Sequence, residues 1–479
     1  MRARLPRYAR VVAVAAAVLV SPAAGAGVAA GSVGSGGAGA GAGDGPCGRT
    51  DYCSIVQQLN CSTMEQDHPA SLIPGAAYQM SACLSDLTTA GTARTGHTDP
   101  ADYAGLAAAG TRNPSNVPGL QVDGYFPDGS TSNTEHGWNH DAQFVLRLPD
   151  RWNGGLVVTG APGNRRQYSL DSTISDWVLA QGYAFAATDK GNTGAAFFAD
   201  GRRPGDAIAE WNRRLTQLTV ASKAATARYY GHRVRRTLVT GISNGGYLTR
   251  WQLENHPELY DGGVDWEGTL WRADANMFTY LPTALREYPR VAAGDPAAHD
   301  AMLAAGFAPG SDFLWPYHDQ VYWDLTQRIY RAEFDPGFSP GDPAGSPFCA
   351  SGSPHCDADY DYASRPAAVH RAVARIALTG RIGKPLISLQ GTLDTLLPIR
   401  TDGDVYARMV RGAPFRYYRI AGGTHTDGLY DTYPDRLRPI LPCYRAALAA
   451  MGAWLSGSAT PPPGGTVPRG SDVVNSCSL

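Results

Sequence analysis

The run Arg236-Thr237-Leu238-Val239-Thr240-Gly241-Ile242-Ser243-Asn244-Gly245-Gly246-Tyr247 decides the fold. Its first half is β-prone, and residues 247–254, ahead of Pro257, have the composition of a helix. A serine at a sharp strand-to-helix turn has strained dihedrals, so the residues two places either side must be small, as Gly241 and Gly245 are. The Ser243 hydroxyl then projects above a sheet, and the Asn244 N–H at the helix start faces a developing oxyanion. In a chain with 56 glycines the same pentapeptide can also arise by chance. The strand–turn–helix setting separates the two readings.

Working outward, alternation predicts strands over 144–148, 155–159 and 183–187, with a helix near 174–181 between the last two. Over 207–230, Trp211, Leu215, Leu218, Ser222, Ala225 and Tyr229 recur at gaps of four and three, one buried face of a long helix closed by Gly231. Strands alternating with helices imply an α/β fold, a mainly parallel sheet covered on both faces. The alternation lapses from Trp271 to about Arg381 and resumes with strands at 384–390 and 416–420 and a helix at 441–455. The expected plan is a core over 121–271 and 382–457, a cap or lid inserted at 272–381, and an extended Pro/Gly-rich tail over 458–479.

A serine nucleophile needs a base, and the base an orienting acid. Asp394 ends the loop Gly391-Thr392-Leu393-Asp394 and His425 ends Gly422-Gly423-Thr424-His425, each after a predicted strand. Open α/β sheets place their sites at these carboxyl ends. The plainer readings are a turn aspartate and a solvated histidine; Asp427, Asp265 and Glu267 are rival acids. A second oxyanion donor is expected from Gly160-Ala161-Pro162-Gly163-Asn164, where Pro162 has no N–H and leaves Ala161 or Gly163. Arg165 and Arg166 follow, placed to hold a substrate carboxylate or simply solvated. In the inserted segment Phe313, Trp315, Tyr317, Tyr322 and Trp323 crowd together. They either line a pocket, Trp315 and Tyr317 foremost, or pack the segment's own core. Asp357, Asp359 and Asp361 alternate like the start of a calcium loop without its later Gly and Glu, so no cofactor is expected and structural calcium is the minor alternative.

Arg2, Arg4, Arg7 and Arg10 precede an apolar run over 11–20 and small residues up to Ala30, the order of a secretory signal peptide over 1–30. That run is about half the roughly 20 residues a membrane span needs. A secreted protein, free of the membrane after cleavage, is expected. Residues 31–46, almost all Gly, Ala and Ser, read as a disordered leader. Losing the four signal arginines takes the formal charge from −2 to −6 with no basic tract, which argues against nucleic acid as a partner. Eight cysteines in an exported chain suggest disulfides. Clustering favours two bridges among Cys47, Cys53, Cys61 and Cys83, which would pin a loop-rich region over 47–120. It also favours Cys349 with Cys356 and Cys443 with Cys477.

With Ser243, Asp394 and His425 in that order, residues 140–455 resemble the α/β-hydrolase superfamily. Ser243-Asn244-Gly245-Gly246 and Thr188-Asp189-Lys190-Gly191 resemble motifs of secreted hydroxybutyrate-oligomer hydrolases and of tannase-like and feruloyl-esterase-like proteins. Where tannases and feruloyl esterases usually bridge the serine and histidine through adjacent cysteines, this chain has Ile242 and Thr424. The resemblance implies a serine esterase acting on a small or oligomeric carboxylic ester through an acyl-enzyme. An amidase or exopeptidase on the same fold, or a non-catalytic secreted binding protein, are the alternatives.

Overall fold

The computed structural model describes residues 63–338 and 357–479. The signal peptide, the leader and Cys47, Cys53, Cys61, Cys349 and Cys356 lie outside them. The strands are β1 (His68–Pro69), β2 (Tyr78–Leu84), β3 (Gly119–Tyr125), β4 (Gln143–Pro149), β5 (Gly155–Gly160), β6 (Ala184–Thr188), β7 (Arg236–Ile242), β8 (Gly262–Trp266), β9 (Arg381–Ile382), β10 (Leu386–Gly391), β11 (Arg411–Gly412), β12 (Phe415–Ile420) and β13 (Gly465–Val467). Eleven of them form one sheet in the order β1-β2-β3-β4-β6-β5-β7-β8-β10-β12-β13, and β9 pairs with β11 apart from it. From β6 to β13 every pairing is parallel, and from β1 to β4 and on to β6 every pairing is antiparallel.

Side chains of period two feed two cores. Leu146, Leu156, Val158 and Val239 face one of them, with Trp211, Leu215 and Leu218 of the helix Asp206–Tyr230 and Leu248 of the helix Asn244–Asn255. Val145, Val157, Leu238, Ile387 and Leu389 face the other, with Val178 and Leu179 of Asp176–Ala180 and Tyr444, Ala447 and Leu448 of Leu441–Ser456. Helices therefore cover both faces of a mostly parallel sheet. Gly231 closes the long helix at φ 71°, a left-handed stop that costs glycine little.

One expectation is corrected. The region expected to be loop-rich over 47–120 contributes β1 and β2, which with β3 extend the same sheet. The strand signal in β3 is masked by Gln121 and Asp123, which are buried and hydrogen-bonded to one another at 2.8 Å. The tail is extended as expected over Gly465–Val467, which pair with Tyr418, Arg419 and Ile420, so β13 caps the sheet edge. The Cys443–Cys477 disulfide fastens that tail to the last helix, and Cys83 is disulfide-bonded as well. Between β8 and β10 the described chain is helical apart from β9, with Leu281–Ala292, Pro296–Ala304 and Asp324–Phe334 the longest elements.

Candidate active site

Ser243 stands at φ 58° and ψ −117°, between β7 and the helix Asn244–Asn255. The glycines around it are packed to contact. A Cβ on Gly241 would lie 2.4 Å from the Gly245 carbonyl carbon, and one on Gly245 2.5 Å from Gly160 O. Backbone bonds fix the turn, from Ser243 N–H to Trp266 O at 3.0 Å and from Tyr247 N–H to Ser243 O at 2.8 Å. The strain is thus held by the sheet on one side and the helix on the other.

Asp394 and His425 follow β10 and β12, the neighbouring strands. His425 Nδ1 lies 2.8 Å from Asp394 Oδ2, while Asp394 Oδ1 accepts the N–H groups of Leu396 and Leu397 at 2.7 and 2.9 Å. Asp394 is fully buried and His425 nearly so. Burial opposes a charged imidazole, but Asp394 and then Glu267 outweigh it and raise His425 above its ordinary value. Glu267 comes from the end of β8 and places Oε2 3.2 Å from the same Nδ1.

The other rival acids have different work. Asp265 makes a two-pronged, fully buried ion pair with Arg250 at 2.9 and 3.2 Å. Asp427 accepts the N–H groups of Ile440 and Leu441. Glu267, Asp394 and His425 are the one group among the described residues whose acidic and imidazole atoms lie within 4.8 Å of one another, a spacing that would also suit a metal ion. Asp394 accepts two backbone N–H groups beside the imidazole and Glu267 accepts one. Of the alternating aspartates, Asp357 pairs with Arg331 and Asp361 accepts the Ala363 N–H.

Ser243 and His425 line one cavity with Pro162, Gly163, Asn244, Leu396 and Leu397, closed from the inserted segment by Met277, Tyr322, Thr326 and Tyr330. Its empty volume is about 550 Å³, mouth included. Of the two proposed oxyanion donors after β5, Ala161 is spent, its N–H bonding Thr188 O at 3.0 Å. Gly163 lines the cavity, and its N–H meets no acceptor among the described residues. The Asn244 side chain ties the parts together: Nδ2 donates to Gly163 O at 3.1 Å and to the Tyr330 hydroxyl at 2.5 Å, and Oδ1 accepts from Thr269 at 3.1 Å.

The sequence-predicted substrate contacts divide. Arg165 lines the cavity, but its guanidinium donates to the carbonyls of Asp102 and Ala104 at 3.0 Å, and burial lowers it to about 10. Arg166 points elsewhere, paired with Glu135 and donating to Thr134 Oγ1 at 2.7 Å. Trp315 is inside the segment's own core, its Nε1 bonded to Ser311 Oγ at 3.0 Å, and Tyr317 packs on Tyr322; neither lines the cavity. Tyr322, one of the crowded aromatics, and Tyr330 line it instead. Tyr330 was missed because its role depends on the contact with Asn244, 86 residues away in sequence.

Comparison with known proteins places this arrangement. Feruloyl esterase B from Aspergillus oryzae aligns over 74% of this chain and 85% of its own with a TM-score of 0.50 at 14% identity, and the shared architecture is the α/β-hydrolase fold. Residues 129–269, which include the elbow, Gly163 and Glu267, match the family model described as tannase and feruloyl esterase. Mono(2-hydroxyethyl) terephthalate hydrolase of Piscinibacter sakaiensis is 29% identical over 142 residues, 27% of this chain and 23% of that protein. A probable feruloyl esterase of Arthroderma benhamiae is 30% identical over 125 residues, 24% of this chain and 23% of that protein. The matched stretch thus spans under a quarter of either relative's length.

Proposed function

We propose that this chain is a secreted serine hydrolase that cleaves carboxylic esters. In this reading His425 Nε2 takes the proton of Ser243 as Oγ attacks the ester carbonyl, and Asp394 steadies the resulting imidazolium through Nδ1–H. The N–H groups of Asn244 and Gly163 hold the oxyanion. The proton passes to the departing alcohol, and water attacks the acyl-enzyme by the same base. One observation carries the reading: a strained serine and a carboxylate-held histidine open into one cavity.

The substrate we infer has an aromatic or otherwise apolar acyl group. Tyr322, Tyr330, Met277 and Leu396 offer it an apolar wall, and the names of both curated relatives are those of hydrolases of aromatic acid esters. Short hydroxyalkanoate oligomers are the second ester class to try. Secretion is inferred from residues 1–30; among the described residues no helix is long and apolar enough to cross a membrane.

A fluorophosphonate, peptide mapping of its adduct and a panel of matched aryl esters, hydroxyalkanoate esters and anilides test this. Labelling of Ser243, ester turnover well above anilide turnover, and loss of about 10⁵-fold or more in kcat for Ser243→Ala are expected. An unlabelled protein, or a Ser243→Ala variant with full activity, sinks the proposal.

A further inference from the structure

Glu267 is one acid too many. A serine triad uses a single carboxyl group, yet His425 Nδ1 meets two, Asp394 Oδ2 at 2.8 Å and Glu267 Oε2 at 3.2 Å. We propose that Glu267 is a positioning residue for His425, and that with Asp394 it forms a two-carboxyl cradle around the Nδ1–H. This rests on the reading of Ser243, Asp394 and His425 as a triad.

The placement is built into the backbone. Glu267 holds φ 50°, a left-handed conformation that is uncommon for a residue with a side chain. Its N–H is bonded to Leu389 O at 2.8 Å, and its Oε1 accepts the Gly391 N–H at 2.6 Å. Those contacts lock the side chain between β8 and β10, and Oε2, buried and without a hydrogen bond among the described residues, faces His425 Nδ1 at 3.2 Å. Strain at a fully buried acid, aimed at one imidazole nitrogen, is a cost that packing alone does not explain.

The two acids are not equivalent. Asp394 collects N–H groups from Leu396, Leu397 and Gln390 besides His425, which suits a charged carboxylate. Glu267 has one backbone donor, and burial followed by the Asp394 charge raises it well above the carboxylate range. Two buried carboxylates this close do not both ionise readily, so the neutral member is Glu267. The charged or titratable groups nearby include His318, lowered to about 4 by burial, Tyr280, whose hydroxyl donates to Leu396 O, Asp402, which is turned toward Arg250, and Arg165, which donates to the carbonyls of Asp102 and Ala104. None reaches Nδ1. When Asp394 loses its charge, the repulsion on Glu267 goes with it, and Glu267 ionises to take over the imidazole.

The test is a double-mutant cycle on the full chain. Glu267→Gln offers one oxygen where two N–H groups need acceptors, so kcat/KM is expected to fall about tenfold. Asp394→Asn should keep about tenfold more activity than Asp394→Asn/Glu267→Gln. Only the single variant should gain activity as pH rises and Glu267 ionises. The low-field proton resonance of His425 Nδ1–H should shift in Glu267→Gln, which reads the cradle even if that variant is less stable. An unmoved resonance, with equal residual activities and no gain with pH in Asp394→Asn, would overturn the proposal and leave Glu267 as a tether for Gly391. Retained activity in Ser243→Ala would strike the triad reading instead, so the two failures are distinguishable.

Discussion

The antiparallel and parallel halves of the sheet each bury a cluster of charge, and the clusters differ in how their donors and acceptors are matched. In the antiparallel half Arg147 is fully buried and its guanidinium is spent on Asp171 at 2.6 Å and on Gln121 and Ser175 at 2.8 Å. Asp123 is satisfied in turn by Gln121 and by the Tyr168 hydroxyl. In the parallel half two carboxyl groups approach one imidazole nitrogen, Asp394 at 2.8 Å and Glu267 at 3.2 Å, and the imidazole opens into a cavity. Burial of charge therefore does not mark a site by itself. What sets the second cluster apart is its opening, because a histidine held by a carboxylate and facing a cavity can take a proton during reaction.

The largest effect that would sharpen this comparison is on Asp394. Asp394→Asn removes the charge beside His425 and leaves the wrong tautomer favoured, so kcat for ester hydrolysis should fall by about 10⁴-fold, tempered by Glu267, with little change in the melting midpoint. Next is Arg147→Met, which strands Asp171 without a partner. A loss of about 3–5 kcal/mol in unfolding free energy by urea titration is expected, with kcat of the folded fraction preserved. Adding Asp171→Leu should restore most of that loss. If Arg147→Met instead cut kcat without moving stability, the distinction between the two clusters would break.

The difference also explains what was legible in the sequence. The elbow could be read because its steric demand falls on Gly241 and Gly245, close to Ser243 in sequence. Asp394 and His425 could be read from their loops, since each stands just beyond a predicted strand. Their meeting at 2.8 Å depends on β10 and β12 lying side by side. Glu267 was visible only as a rival acid, because its reach to His425 is set by the pairing of β8 with β10. β2 and β3 were hidden for the reason that makes the first cluster structural. Gln121 and Asp123 spoil the apolar alternation and are tolerated inside only because Arg147 and Tyr168 satisfy them. Trp315 and Tyr317 were misplaced because aromatic crowding marks a packed core and a pocket wall alike.

Asp427 offers the smallest and most local test, since it lies two residues from His425 and is fully buried, yet belongs with the structural cluster in kind. Its oxygens accept the N–H groups of Ile440 and Leu441 at 2.6 and 2.8 Å, at the head of the helix Leu441–Ser456. Asp427→Ala leaves those two donors unmatched and should cost about 2 kcal/mol of stability. Turnover of the folded enzyme should stay within about threefold of wild type. Burial raises Asp427 from 3.8 to about 7, so the folded state favours its protonated form. Its stabilising contribution is complete below the unfolded value and declines as pH rises through the folded one. Urea titrations at pH 5 and pH 8 should therefore show a wider gap between wild type and Asp427→Ala at the lower pH. A gap that widens with pH would mean that the Asp427 carboxylate is stabilised by its contacts, and a collapse of kcat to the Asp394→Asn level would mean that it acts on His425 after all.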